Sequence, residues 1–122
     1  MKILITGTHR GIGKHLYERL SISHEVIGID QFKSDTVDIV HDLTELETLP
    51  SKLTTLNKID AVIHNAASIE TAPFEELSTE MIENVFKVNT LAAFKLAQWF
   101  VAQKPKNQMG RLIFITSTRA KM

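Results

Sequence analysis

The sequence predicts an α/β fold, an open parallel sheet of about five strands with helices packed on both faces. Two observations predict it. Short β-branched runs alternate with helix-length amphipathic segments along the 122 residues. The strand runs Ile3-Leu4-Ile5, Val26-Ile27, Ala61-Val62-Ile63 and Leu112-Ile113-Phe114-Ile115 are also apolar without alternation. Unbroken runs mark strands buried on both faces, as in parallel sheets sandwiched by helices. Right-handed crossovers then distribute the helices to the two faces.

The expected strands are Lys2–Thr6, Glu25–Asp30, Val37–His41, Ile59–His64 and Arg111–Thr116. A first helix is expected over Gly11–Leu20, where Ile12, Leu16 and Leu20 form one stripe. A second is expected over Thr44–Leu56, with Leu46, Leu49, Leu53 and Leu56 on one side and Pro50 as a kink. The third, Thr79–Lys104, is the longest. It carries Met81, Val85, Val88, Ala92, Leu96 and Trp99 in one stripe, flanked by Ile82, Phe86, Ala93, Ala97 and Phe100. So wide an apolar arc calls for cover on two sides. No repeat or linker interrupts the pattern, so residues 1–122 read as one domain.

Composition narrows the function classes. Apolar residues make up 43%, as in an ordinary globular chain. Fourteen basic residues balance 14 acidic ones and are scattered, which argues against nucleic-acid or membrane-surface partners. The absence of cysteine excludes disulfides, thiolate catalysis and thiolate metal sites. His9, His15, His24, His41 and His64 show no ligand spacing with carboxylates, so no metal site is expected. His9 and His64 read instead as cleft-lining or loop-capping residues. The apolar run at Met1–Gly7 is too short for a signal peptide or a spanning helix, and a cytoplasmic protein is expected.

The chemistry-bearing segment follows the first strand: Thr6-Gly7-Thr8-His9-Arg10-Gly11-Ile12-Gly13, then a helix. A pyrophosphate binds where free backbone N–H groups at a helix start point outward and the helix dipole is positive. Glycines let the backbone turn sharply and approach the phosphates. The strand–turn–helix setting raises the weight of the pattern and makes this a Rossmann-like dinucleotide site. Asp30, ending the second strand, is placed to accept hydrogen bonds from adenosine ribose hydroxyls and to repel a 2′-phosphate. The alternative is a turn aspartate that caps the loop Asp30-Gln31-Phe32-Lys33. Arg10 and Lys33 pull toward a 2′-phosphate, but they must reach, so NAD is expected rather than NADP.

Gly7-x-x-x-Gly11-Ile12-Gly13 resembles the cofactor loop of the short-chain dehydrogenase/reductase family. Further segments agree in order. Asp42-Leu43 is similar to the family's Asp-hydrophobe pair, which implies contact with the adenine amino group. Asn65-Ala66-Ala67 resembles the Asn-Ala-Gly segment beside the adenosine ribose, with alanine in place of the last glycine. Asn89, within Phe86-Lys87-Val88-Asn89-Thr90, matches the long-helix asparagine that orders a proton-relay water. Arg111 to Ser117 resembles the fifth strand, ending in the serine that hydrogen-bonds the reacting carbonyl. The resemblance thus implies Asn89 and Ser117 as catalytic residues. Structural alternatives stand beside three of these: Asp42 with Glu45 has capping-box spacing, Asn89 could satisfy backbone groups at a helix irregularity, and Ser117 could simply end a strand.

The resemblance implies an NAD(H)-dependent oxidoreductase acting on a small carbonyl or alcohol. Its tyrosine works as acid or base only when a lysine lowers a phenol pKa of about 10. The single tyrosine here, Tyr17, is followed four residues on by Ser21, so the Tyr-x-x-x-Lys pair is absent from these residues. They are therefore expected to be an incomplete fold, truncated after the fifth strand and inactive alone. Two alternatives remain: a non-catalytic NAD(H)-binding module or sensor, and a fragment of an extended sugar-nucleotide epimerase, whose pattern Val26-Ile27-Gly28-Ile29-Asp30 also fits. The short stretch between Asp30 and Asp42 leaves no room for a helix there. Exposed apolar surface on the long helix (Val88, Leu91, Phe94, Trp99) and the fifth strand predicts a homo-oligomer.

Overall fold

A computed structural model describes residues 1–117. The strands are β1 (Lys2–Thr6), β2 (Glu25–Asp30), β3 (Ile39–Val40), β4 (Ala61–His64) and β5 (Arg111–Phe114). The helices are α1 (Gly11–Leu20), α2 (Leu49–Leu53), α3 (Thr79–Phe86) and α4 (Ala92–Gln103). All strands pair in parallel in the order β3-β2-β1-β4-β5. The chain builds outward from β1 to β3, then crosses back to lay β4 on the other side of β1. Ligands of open α/β sheets bind at such a reversal, beyond the carboxyl ends of the strands.

Two apolar clusters show that both faces are covered. Ile3, Ile5, Ala61 and Ile63 face Leu16 and Leu20 of α1. Leu4, Val62 and Leu112 point the other way, onto Leu49, Leu53, Ala92, Leu96 and Phe100. Successive strand residues alternate between the two cores, which is why the runs carry no polar positions.

Several boundaries differ from expectation. Ile12 leaves the core stripe of α1 and is 63% exposed. β3 shrinks to Ile39–Val40, and β4 and β5 are likewise shorter than predicted. At β3 the reason is a side chain: Asp38 Oδ2 accepts the Gly28 N–H at 2.8 Å and replaces a ladder bond. α2 spans only Leu49–Leu53, and Pro50 starts it rather than kinking it. Upstream, Asp42 Oδ1 accepts from the Thr44 N–H and hydroxyl, both at 2.9 Å. Asp42 thereby caps a turn, not a helix. The long helix divides at a π-turn, Lys87–Leu91, where the Ala92 N–H reaches back to the Lys87 carbonyl. It ends one residue early, where Lys104 turns extended before Pro105. Among the described residues no helix is long and apolar enough to cross a membrane.

Candidate functional site

Parallel register brings the strand ends together. Thr6 pairs with Ile29 on one side and His64 on the other, and His64 pairs with Phe114. The loops that leave these ends enclose a cleft of about 660 Å³. One wall is the glycine turn, with Gly7, His9, Arg10, Gly11 and Ile12; the others include Asp30, Asp42, Leu43, Asn65, Ala66, Ala67 and Val88. A broader depression of about 840 Å³ lies at the opposite strand ends. Within it Lys2 pairs with Glu25 at 3.3 Å, and Asp60 accepts the Lys2 N–H at 2.7 Å.

The three glycines of the turn do different work. Gly7 and Gly11 have φ of +75° and +60°, a region that L side chains avoid. A β-carbon on Gly7 would fall 2.8 Å from the Ala66 backbone, so this glycine lets the turn after β1 pass close to the segment after β4. Gly13 is buried, and its β-carbon would stand 1.9 Å from the Gly7 carbonyl oxygen. At Gly11 a β-carbon would meet nothing within 4 Å. Helix α1 begins there without a side-chain cap and without an acid in its first turn. A helix start that is open, uncapped and free of acids fits an anionic phosphate group. On this observation the residues fit a dinucleotide.

Around this turn the polar groups are fixed. Asp30 Oδ2 accepts the His9 N–H at 3.1 Å and Oδ1 accepts the Phe32 N–H at 3.2 Å, so the carboxylate is held on the cleft rim. The His9 ring leans on Phe32, with centroids 5.5 Å apart. Asn65 donates from Nδ2 to the Thr6 and Gly7 carbonyls at 3.2 and 3.1 Å, and so braces the turn from below. Thr8 is fully buried and, like Gly13, lies behind the cleft wall instead of lining it. Leu43 lines the cleft and also belongs to the core.

Asn89 sits in the π-turn. Its Oδ1 accepts the Ser68 N–H at 2.7 Å and its Nδ2 donates to the Ser68 carbonyl at 2.9 Å. This two-way clasp holds the segment after β4 against the helix. Ser117 is exposed just past β5 and is not among the residues lining the cleft. Tyr17 lies on α1 with its hydroxyl 3.5 Å from Asp38; burial, then the Asp38 charge and hydrogen bond, raise its pKa above 10.

Sequence reasoning missed Thr6 and misplaced His64. Rather than lining the cleft, His64 is 4% exposed beneath it, bonded to Thr6 Oγ1 and to the Val88 carbonyl, each at 3.0 Å. Burial lowers its pKa, against a smaller opposing effect of the Val88 hydrogen bond. A histidine closing an apolar strand run was the available signal.

Fold and cleft together define a Rossmann-like α/β domain. Known proteins agree. The family model for short chain dehydrogenase matches residues 29–122, so the chain belongs to the short-chain dehydrogenase/reductase family of oxidoreductases. A 3-oxoacyl-(acyl-carrier-protein) reductase of Mycobacterium tuberculosis is 25% identical over 94% of this chain and 50% of its own length. An L-xylulose reductase of Mus musculus is 26% identical over 80% of this chain and 44% of its own length. Among solved structures, a 4-hydroxyisoleucine dehydrogenase complexed with NADH superposes with a TM-score of 0.87 at 26% identity, covering 99% of this chain and 57% of that one. Serine dehydrogenase from Escherichia coli superposes with a TM-score of 0.83 at 21% identity, covering 100% of this chain and 64% of that one, a likeness of fold. The chain spans about half the length of the curated relatives it matches. These relatives are named as reductases and dehydrogenases, and they do not favour the sensor or epimerase readings.

Proposed function

We propose that these residues form a single dinucleotide-binding domain that holds NAD(H) for hydride transfer to or from a small carbonyl or alcohol. What supports the reading is the open, uncapped start of α1 at Gly11, which shares one cleft with Asp30. When bound, the nicotinamide would donate hydride to a carbonyl or accept it from an alcohol. Backbone N–H groups around Gly7 to Ile12, with Arg10 at the rim, would hold the diphosphate. Buried Thr8 and Gly13 would support that turn from behind. The Asp30 carboxylate would accept from the adenosine ribose hydroxyls and disfavour a 2′-phosphate. Asp42 and Leu43 would flank the adenine, and Asn65, Ala66 and Ala67 the adjoining ribose. Asn89 and Ser117 are proposed as the catalytic contributions of this part of the family fold. Without a Tyr-x-x-x-Lys pair these residues alone are expected to bind cofactor without turnover. A cytoplasmic setting and self-association through α4 or β5 complete the reading.

Titration calorimetry with NADH and NADPH tests it. Saturable NADH binding, weaker for NADPH, is the expected result. Equal preference would remove the Asp30 argument, and no heat with either dinucleotide would remove the whole reading.

A further inference from the structure

The buried His64 has a geometry that admits one proton arrangement. The Val88 carbonyl can only accept, so Nε2 of His64 carries the ring proton and donates at 3.0 Å. Nδ1 of a neutral ring then accepts, so the Thr6 hydroxyl donates to it, also at 3.0 Å. The Thr6 oxygen has two lone pairs left, and two N–H groups reach it, from Asn65 at 3.1 Å and Ala66 at 3.0 Å. Every group is satisfied once. A second ring proton on Nδ1 would face a hydroxyl whose acceptor sites are both taken.

These bonds close a circuit. From Asn65 and Ala66 it runs through Thr6 and His64 to Val88 in the π-turn. Asn89, the next residue, clasps Ser68, which lies on the same segment as Asn65 and Ala66. The circuit also joins two parts of the cleft lining, since Asn65 grips Gly7 and Val88 lines the same cleft. Thr6 and His64 are both buried, so water cannot substitute for a lost member.

We propose that His64 is a positioning residue: it locks the glycine turn to the π-turn through Thr6 and Val88, so that the two walls of the cofactor cleft move as one. The structural part stands by itself; its consequence for ligand affinity rests on the dinucleotide reading above.

Two substitutions separate the two bonds. In His64→Asn the side-chain amide falls near the place of Nδ1, so an acceptor for Thr6 remains and the donor to Val88 is lost. His64→Gln reaches the place of Nε2, so the Val88 bond remains and the Thr6 acceptor is lost. Amide hydrogen exchange by NMR reads both ends. His64→Asn is expected to deprotect the Ser68 N–H while sparing those of Asn65 and Ala66, and His64→Gln to do the reverse. Each is expected to weaken NADH binding by about tenfold, the effect of one buried partner lost. Unchanged protection in both variants, or the same loss at all three amides in both, would overturn the proposal. So would altered protection with unaltered NADH affinity. Should wild-type protein bind no NADH while the amides split as expected, the dinucleotide reading fails and the lock stands. Imidazole nitrogen spectra of wild-type protein give a test that needs no variant: the Nε2–H tautomer at neutral pH is expected, and an Nδ1–H or charged ring would overturn the assignment.

Discussion

The Gly13 α-carbon is packed so closely under the Gly7 carbonyl that a β-carbon there would lie 1.9 Å from its oxygen, whereas the same addition at Gly11 would meet nothing within 4 Å. The two glycines should therefore fail differently. Gly13→Ala must displace backbone and is expected to cost about 2–3 kcal/mol of stability, as overpacking does. Gly11→Ala pays mainly for its positive φ, about 1–2 kcal/mol, and its new methyl intrudes where the ligand is proposed to lie. Urea unfolding beside NADH titration checks this. Gly11→Ala should stay folded and lose affinity more than tenfold. An order of stability opposite to this one would contradict the packing account.

Asp30 offers a test of cofactor choice. Asparagine removes the charge and keeps one acceptor, enough for the His9 N–H now bonded at 3.1 Å but not also for the exposed Phe32 N–H at 3.2 Å. At a partly exposed rim the repulsion of a 2′-phosphate is on the order of 1 kcal/mol. Asp30→Asn should raise NADPH affinity relative to NADH about fivefold, measured by competitive titration. A ratio unchanged from wild type would place the discrimination elsewhere.

The Thr6 hydroxyl is the hub of three hydrogen bonds, meeting His64 Nδ1 and two backbone N–H groups in a fully buried position. Thr6→Val keeps the volume and strands those partners, a loss of about 2–4 kcal/mol. Thr6→Ser should recover most of it. Denaturant unfolding of the pair checks the prediction, and a valine variant within 0.5 kcal/mol (roughly the range of an inert surface change) would show that the network bears no weight.

Stability should also depend on pH through His64. Burial holds its pKa below the ordinary 6.5. In the window from 6.5 down to that lower value, the unfolded chain binds a proton that the folded one refuses. Stability contributed by the neutral ring is thus whole above 6.5, falls with pH through the window, and falls no further once both states are protonated. Unfolding curves between pH 7.5 and 5 should show this slope, and His64→Gln should flatten it. An equal slope in the variant would assign it to other groups.

How much of this could be read from sequence depended on the range of the interaction responsible. β1, α1 and β2 follow from local pattern: an unbroken apolar run, a glycine turn, a second run ending in Asp30. β3 and α2 came out short because side chains compete with the regular ladder, Asp38 for the Gly28 N–H and Asp42 for the Thr44 N–H. The π-turn left no mark on the stripe from Val88 to Ala92 and Leu96, since the apolar face is wide enough to absorb the shift of about 100° that one extra residue brings. Most of the cleft was legible as ordered motifs. The Thr6–His64 bond was not, because it joins residues from separate strands whose alignment only the sheet register sets.

The remaining surface argues for association. Leu91, Phe94 and Val101 are exposed along the π-turn and α4, with Phe94 at 59%, and Ile113 and Phe114 of β5 are 42% and 46% exposed. β5 is the last strand of the sheet among the described residues, so its outer edge has no neighbour there. An apolar edge strand beside an apolar helix face is the kind of surface that pairs with another chain. These 122 residues should therefore sediment as a dimer or larger species at micromolar concentration. Phe94→Asp and Ile113→Lys separate the two surfaces, because each places one charge on one of them. Dissociation to monomer with the first alone assigns the contact to α4, and with the second alone to the β5 edge. Circular dichroism should remain unchanged in both, since neither side chain belongs to either core cluster. A wild-type chain that stays monomeric across the whole concentration range would leave this surface without a role in self-association.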